Sequence, residues 1–385
     1  MRYQAPLSVL LGLAALAGCD TPTSTEPEAT PAAAATAAVL AISFFQMAAD
    51  GFNTCGVTTD NKAYCWGEAG AIGDSANADR LVPTLAAGGH PFRRISINSH
   101  RACAVTTDNH GYCWGFGPVG DGTKETRLSP VQVAGGLRFF QIEVGTEQIC
   151  GVADPSQRVY CWGGIGGDGT KTVRLVPTPV SGGRQFKMVA GGESHMCAIT
   201  MAGKAYCWGS NQFGQIGDNG NTGLRLVPTA VAGGHVFIQI DAGFQHTCAV
   251  TSTHRVFCWG YGRLGQIGDG KTSLRFTPRQ VLTSLTFQRV SAGGSQTCAE
   301  TTDHLAYCWG SNVGGGVGDG TTTQRLAPTP VTGGLHFAQV SAGGWNACGV
   351  ARSGGAYCWG LNIFGVLGDG TGVDRHEPTL IAGGS

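Results

Sequence analysis

The stretch that decides the fold is AGFQHTCAVTSTHRVFCWG, residues 242–260, in which two cysteines stand ten residues apart. Cys-Ala-Val-Thr and Val-Phe-Cys-Trp are typical of two short strands, and the polar residues between them indicate a turn. Strands that pair symmetrically about this turn place Cys248 opposite Cys258, about 4.5–5.5 Å apart and within reach of a disulfide. The stretch therefore predicts a β-hairpin closed by its own disulfide.

This hairpin recurs seven times, at intervals of 46 to 51 residues, a period typical of propellers. A phenylalanine stands eleven residues before each leading cysteine, and each Trp-Gly is followed by Gly-Asp, an arginine and a proline. Every unit contains four short apolar segments, Phe-x-x-Val/Ile, Cys-Ala-Val-Thr, Ala-Tyr-Cys-Trp and Pro-Thr-x-Val. The sequence thus predicts an all-β chain that forms a seven-bladed β-propeller of four-stranded blades over residues 41–385.

The spacing of the cysteines predicts a partner for all but one of them. Fourteen of the fifteen form seven regularly spaced pairs, and one additional residue in the third repeat predicts a longer turn there. Zinc-binding cysteines lie two to four residues apart and four ligands converge, so we expect disulfides rather than a metal, and no cofactor. The predicted disulfides are Cys55–Cys65, Cys103–Cys113, Cys150–Cys161, Cys197–Cys207, Cys248–Cys258, Cys298–Cys308 and Cys348–Cys358.

Three motifs resemble the regulator of chromosome condensation repeat family: aromatic-x-Trp-Gly, Gly-x-Gly-Asp-Gly-Thr, and Ala-Gly-x-x-His-x-Cys. The resemblance covers residues 42–385 and is clearest in AGFQHTCAVT and VFCWG. It implies a closed seven-bladed ring, and the family's exported bacterial members are binding proteins. The paired cysteines are a difference from the intracellular relatives, which have aliphatic residues at these strand positions. Because disulfides indicate an oxidising compartment, the family's nuclear function is not carried over to this chain.

The first nineteen residues, MRYQAPLSVLLGLAALAGC, have the pattern of an export signal. The apolar run is too short to span a bilayer, and Leu16-Ala17-Gly18-Cys19 resembles a bacterial lipobox. We expect a signal peptide at 1–18, lipidation of Cys19, and a Thr/Pro/Ala-rich tether at 19–40. An ordinary signal peptide with an incidental cysteine is the alternative. The lipid reading predicts a chain anchored to the bacterial cell envelope, periplasmic or facing outward.

Composition and motifs restrict the function classes. Lysine plus arginine equals aspartate plus glutamate at 25 each, so the basic excess of a nucleic-acid-binding protein is missing. The sequence contains no Gly-x-Ser-x-Gly, His-Glu-x-x-His or phosphate-loop motif. We expect a monomeric binding module or scaffold that recognises a protein or glycan. A hydrolase or lyase acting on envelope polymers, and a spacer without a ligand, are the alternatives.

Function is expected on loops, because strand residues build the scaffold. The residue three positions before each leading cysteine differs from repeat to repeat. This variation predicts a recognition face; the alternative is random sequence drift on a solvent-facing loop. Because blades one and seven are neighbours in a closed ring, Phe52 and Trp345 should lie close together. His100 and the two glutamates would be the acid and base of an enzyme. The candidate face consists of Phe52, His100, Glu147, Glu193, Phe244, Gln245 and Trp345.

Two further features of the loops are regular or nearly so. The polar residue two positions before each cysteine, such as His195 or His246, is expected to be structural. The repeated aspartates and arginines should also be structural, paired within a blade or between blades. The segment from Trp to Asp spans ten residues in repeats four to seven but eight, seven and six in the first three. This trimmed sector either makes room for a partner or has no functional meaning.

Overall fold

Twenty-eight strands follow one another in the computed structural model, which describes residues 41–98 and 100–384. They form seven antiparallel sheets of four strands, and in every sheet the strands pair in chain order. The first strands of all blades contact one another in a closed ring, with blade seven against blade one. The predicted all-β, seven-bladed propeller is confirmed. The predicted signal peptide, Cys19 and the tether lie outside the described residues.

The strand bounds are similar from blade to blade. Blades one and two contain β1 (Phe44–Ala49), β2 (Asn53–Thr58), β3 (Ala63–Gly67), β4 (Arg80–Leu85), β5 (Phe92–Asn98), β6 (Arg101–Thr106), β7 (Gly111–Gly115) and β8 (Arg127–Gln132). Blades three and four contain β9 (Arg138–Val144), β10 (Gln148–Asp154), β11 (Val159–Gly163), β12 (Arg174–Pro179), β13 (Phe186–Gly191), β14 (His195–Thr200), β15 (Ala205–Ser210) and β16 (Leu224–Ala230). Blades five to seven contain β17 (Phe237–Ala242), β18 (His246–Thr251), β19 (Val256–Gly260), β20 (Arg275–Gln280), β21 (Phe287–Ala292), β22 (Gln296–Thr301), β23 (Ala306–Gly310), β24 (Arg325–Pro330), β25 (Phe337–Ala342), β26 (Asn346–Ala351), β27 (Ala356–Gly360) and β28 (Arg375–Leu380).

Helical structure among these residues is limited to three single 3₁₀ turns, at Val313–Gly315, Thr332–Gly334 and Ile363–Gly365. Within the described ranges, no helix has the length and apolar character needed to cross a membrane.

Glutamines on the first strands hold neighbouring blades together. The Gln339 side chain accepts a hydrogen bond from the Met47 amide at 3.0 Å and donates one to the Met47 carbonyl at 2.7 Å, which joins blade seven to blade one. The first and last segments of the propeller meet at the same boundary, where the Ile42 amide donates to the Gly383 carbonyl. The ring therefore closes through hydrogen bonds between complete blades. The same paired bonds are made by Gln46, Gln141 and Gln239.

The seven predicted disulfides all form at the centre of their blades. Cys248 and Cys258 oppose each other in register, as the hairpin argument requires, and all seven pairs have Cα atoms 4.0–4.1 Å apart. The third repeat keeps its bridge across the longer turn. All fourteen residues are fully buried. Such bridges belong to an extracellular or otherwise oxidising environment.

The repeated tryptophans fill the gaps between blades. The Trp259 indole Nε1 donates to the Gln215 carbonyl of the preceding blade at 3.0 Å. Its ring lies against Gly217, where a Cβ would stand 2.6 Å from Nε1 and where φ is +77°. Both the close approach and the left-handed backbone require glycine. The glycine of the Gly-Asp motif is thus dictated by the tryptophan of the next blade.

Each repeated aspartate pairs with the arginine of its own blade, which resolves the two alternatives. The Arg275 Nε donates to Asp269 Oδ2 at 2.6 Å, and the second carboxylate oxygen accepts the Lys271 amide. Equivalent ion pairs occur in the other six blades. The pair fixes the loop that leads into the outermost strand, so its role is structural.

The outermost strands begin earlier than Pro-Thr-x-Val predicts. In blade four the strand covers Leu224–Ala230, and Val231 lies beyond its end. The reason is that Arg225, held by Asp218, already pairs with Gly209 of the third strand. The proline falls inside this strand, where the missing N–H is tolerated because the outer edge has no partner strand. A proline there also blunts the edge against pairing with other chains.

Glu300 is an exception at a position of the second strand that is apolar in the other blades. The equivalent position holds valine or isoleucine in the other six blades, yet this side chain is 2 % exposed. Its Oε1 lies 2.9 Å from His304 Nδ1, while Oε2 is buried without a hydrogen-bond partner. Burial raises the pKa of the carboxyl above its usual range.

Glu300→Val is expected to raise the free energy of unfolding by about 1–2 kcal/mol near neutral pH, because an apolar residue replaces a buried carboxylate. The raised pKa means that the wild type loses stability as pH rises through that value, so the gain should shrink toward about pH 4. Denaturant midpoints measured at acidic and neutral pH test this. A valine variant that is less stable at both would show that the His304 contact outweighs the burial cost.

Candidate functional site

The candidate site lies on one end of the ring. Consecutive antiparallel strands reverse direction, so the loops joining first to second strands share an end with those joining third to fourth strands. We call this end the loop face. All seven residues of the candidate face belong to it.

Beneath the loop face, the polar residues before the leading cysteines are buried between blades. The Nε2 atoms of His195 and His246 lie 2.8 Å from the hydroxyls of Thr247 and Thr297 in the following blades. Burial lowers the pKa of each histidine to about 3, so both are neutral near physiological pH. These side chains fasten one blade to the next, which is the structural role expected for them.

An aromatic patch crosses three blades of the loop face. Phe52 of blade one is central, with its ring centroid 6.0 Å from those of Trp345 and Phe364 in blade seven. On its other side it stacks against His100 of blade two at 6.3 Å, and His100 meets Phe116 at 5.7 Å. We define these five residues as the aromatic patch. The expected proximity of Phe52 and Trp345 across the ring closure is present.

Phe364 occupies an unfavourable backbone conformation. Its φ and ψ are 57° and 16°, in the left-handed region that costs a non-glycine residue about 1–2 kcal/mol. The equivalent position in blade six is Gly314, with φ 65° and ψ 7°. The loop conformation is therefore a property of the repeat, and blade seven places an exposed phenyl ring where glycine would fit without strain.

Beside the patch lies a shallow cleft of about 510 Å³, which we call the acidic cleft. It falls where the trimmed loop of blade one meets the longer loop of blade seven. Glu68 Oε2 lies 3.5 Å from His100 Nδ1, and Asp79 accepts the Ala69 amide at 2.9 Å. The lining consists of Glu68, Ala69, Asn77, Asp79, His100, Phe116 and Phe364.

The remaining candidate residues are not part of the aromatic patch, but Phe244 comes close to it at the glycines that precede Phe52 and Trp345. Phe244 extends over the mouth of the central channel, because its ring approaches the backbones of Gly51, Gly294 and Gly344. The Gln245 side chain donates to Glu193 Oε2 at 3.4 Å.

Glu147 is exposed, and its amide donates to the Glu193 carbonyl at 3.2 Å. In the part of the chain that the structure describes, no hydrogen bond or ion pair joins His100 to Glu147 or Glu193. The histidine pairs with Glu68 instead. The geometry therefore gives the acid–base hypothesis no support.

The central channel has a volume of about 360 Å³ and is lined by the first strands. Arg94 and Glu143 form an ion pair at 3.3 Å within it. Asp241 accepts the Ala292 amide of the next blade at 2.9 Å. Burial, together with the Glu143 charge, raises the pKa of Asp241 to about 7 despite these hydrogen bonds.

Asp241→Ser is expected to stabilise the fold above about pH 7 and to change little near pH 4. Serine occupies the equivalent position in other blades, where Ser341 accepts the Ala49 amide at 3.0 Å, so the inter-blade bond is retained. The wild-type aspartate favours folding while protonated and loses that contribution as pH rises through about 7. Because water in the channel screens the charge, we expect the gain in the free energy of unfolding above pH 7 to be about 1–2 kcal/mol. Thermal unfolding across this pH range tests it, and a pH-independent difference would contradict it.

Residues 41–98 and 100–384 contain no group of three histidine, cysteine, aspartate or glutamate side chains placed to hold a metal ion. Sequence reasoning missed six residues of the site: Glu68, Ala69, Asn77, Asp79, Phe116 and Phe364. The available signal was the aromatic residue directly after Trp114-Gly115 and the phenylalanine that replaces Gly314 in the seventh repeat.

Comparisons with known proteins agree with this architecture. The model of the regulator of chromosome condensation (RCC1) repeat matches residues 202–250, 253–299, 303–350 and 353–385. A second model of the same repeat matches 187–215, 237–266 and 337–366, and together the two cover about half of the chain. This chain belongs to the regulator of chromosome condensation repeat family. The first three repeats, which carry the trimmed loops, lie before the matched region.

Individual family members match over short segments. The ultraviolet-B receptor UVR8 of Arabidopsis thaliana is 40% identical over 72 residues, 18% of this chain and 16% of the receptor. Human protein RCC2 is 38% identical over 72 residues, 18% of this chain and 14% of RCC2. The match thus spans less than a fifth of these relatives.

Two solved structures share the fold over most of their length. Yeast RCC1 (Prp20), in a crystal structure of Kap60 bound to it, aligns with a TM-score of 0.74 and 19% identity over 94% of this chain and 91% of that chain. Human WBSCR16 aligns with a TM-score of 0.74 and 18% identity over 83% of this chain and 94% of that chain. At these identities the likeness concerns the fold.

Proposed function

We propose that this chain is an exported, lipid-anchored binding propeller that holds a protein partner on the aromatic patch at the cell envelope. The observation that carries the proposal is the patch itself. The blade tryptophans and the phenylalanines that stand eleven residues before each leading cysteine are buried, whereas Phe116 and Phe364 are 44 % and 39 % exposed beside Phe52 and Trp345. Aromatic clusters of this kind are enriched at the energetic centres of protein interfaces.

The scaffold is suited to rigid presentation. Phe52 and His100 follow first strands that are tied to their neighbours, and Phe364 lies in a loop anchored by Asn362, whose side chain accepts the Leu367 amide at 3.0 Å. A preorganised surface loses little conformational entropy on binding. Yeast RCC1 (Prp20), which shares the fold, has been solved with Kap60 bound to it, and it has binding properties toward Gsp1p and histones.

The partner is tested by affinity capture from envelope extract with the full chain, followed by identification and purification of the captured protein. Phe52→Ala with Trp345→Ala removes the centre of the patch. The matched control is Phe213→Ala with Tyr261→Ala, an aromatic pair 5.2 Å apart on the same face but outside the patch. We expect the purified partner to bind the control and not the patch variant. Equal binding by both variants would contradict the proposal.

The anchor is tested separately, by labelling cells with radioactive palmitate. We expect label on the wild-type chain and none on Cys19→Ala, which should appear in the soluble fraction. Equal labelling of the two chains would contradict lipidation of Cys19.

A further inference from the structure

We propose that the acidic cleft binds an arginine or lysine side chain of the protein partner, inserted beside the aromatic patch. The inference rests on the proposed function and specifies the chemistry of the partner. It combines three observations: two carboxylates in the cleft, exposed ring faces beside them, and a space opened by the trimmed loop.

The charge of the cleft is negative. Glu68 and Asp79 both line it, and Asp79 is fastened to the residue after Glu68 through the Ala69 amide, so both carboxylates share one wall. Glu68 Oε2 is enclosed, and its described neighbour is His100, whose Nδ1 lies 3.5 Å away. No lysine or arginine is among the described residues that line the cleft. A cationic donor from outside would complement this wall.

The opposite walls are aromatic. Phe116 packs against Gly70, where a Cβ would stand only 2.3 Å from its ring, and it remains 44 % exposed. Phe364 closes the other side at 39 % exposure. The face of a phenyl ring attracts a guanidinium or ammonium group, by about 0.5–1 kcal/mol at exposed sites. The carboxylates on one wall and the phenyl rings on the others surround one space. Together they form a site for a basic side chain.

The ring geometry favours a protein side chain over a glycan. A sugar packs flat against an aromatic face, whereas Phe364 stands at 79° to Phe52 and His100 at 85° to Phe116. Neighbouring rings at these angles do not form a single flat platform. Trp345 and Phe52 lie beyond the cleft, so apolar residues beside the basic one would contact them.

The test uses short random peptides displayed on phage and selected against the full chain at physiological salt. We expect the selected peptides to carry arginine or lysine next to apolar residues. In Glu68→Gln with Asp79→Asn, affinity for a synthetic copy of such a peptide should fall about tenfold or more. Replacing its arginine with neutral citrulline should have the same effect on the wild type. The matched control is Glu125→Gln, an exposed carboxylate after Asp121 in blade two.

The outcomes separate this inference from the proposed function. Selected peptides that need Phe52 and Trp345 but lack basic residues, and that bind the carboxamide variant equally well, would overturn the cationic site while leaving the binding patch intact. Selection that succeeds equally on the Phe52→Ala, Trp345→Ala chain would overturn both. Displacement of the peptide by a neutral oligosaccharide such as chitohexaose would favour a glycan and overturn the inference. Circular dichroism confirms that each variant is folded.

Discussion

Cys248→Ala together with Cys258→Ala is expected to lower the free energy of unfolding by about 2.5–3 kcal/mol. The bridge closes a short loop, and its loss restores conformational entropy to the unfolded chain. Because both residues are fully buried, truncation also leaves a small unfilled volume, which adds to the cost. Cys248→Val with Cys258→Val fills that volume and is the control that isolates the covalent contribution.

Denaturant unfolding of the two variants and the wild type, monitored by circular dichroism, measures this difference. The same burial predicts that dithiothreitol reduces the native chain only after a blade opens, and that the fully reduced chain fails to refold. A valine variant as stable as the wild type would show that the bridge is dispensable. Rapid reduction of all seven bridges without loss of structure would contradict the packing described here.

Phe52→Ala with Trp345→Ala is expected to weaken binding of the identified partner about a hundredfold or more. Two central aromatic anchors typically each contribute 2 kcal/mol or more to an interface.

Trp345 also supplies a fluorescence readout of binding, because the other seven tryptophans are fully buried in the blades. Binding should therefore shift the emission of Trp345 in the wild type and leave a Trp345→Phe variant spectrally unchanged.

Phe364→Gly is the single variant that best separates binding from stability. Glycine relieves the left-handed backbone, as Gly314 does in blade six, while it removes one ring of the patch. We expect a weaker interaction with the partner and an unchanged or higher melting temperature. Unchanged affinities for both the single and the double variant would remove the patch from the interface.

The sequence predicted the architecture and the disulfides because both follow from repetition. Symmetric pairing about one turn places Cys248 opposite Cys258, and the same spacing applies in every copy. Closure of a seven-membered ring likewise made neighbours of Phe52 and Trp345. These inferences needed only the period of the repeat and the geometry of an antiparallel pair.

The acidic cleft could not be predicted in the same way. Glu68, Phe116 and Phe364 come from loops of different length in three blades, and their approach depends on how each loop lies over the next blade. The bounds of the outermost strands were also wrong, because the Asp218–Arg225 ion pair extends pairing beyond the apolar residues. The acid–base interpretation of His100 failed to gain support because its neighbour is Glu68 of the preceding blade.

The central claim is that a protein partner docks on the aromatic patch, and site-specific photo-crosslinking tests it most directly. Benzoylphenylalanine would replace Phe116, which is 44 % exposed in the patch, or Met201, which is 56 % exposed in a turn between second and third strands at the opposite end of the ring. Irradiation of cells should give a covalent adduct from position 116 and none from position 201. An adduct from position 201 alone, or equal adducts from both, would contradict the account.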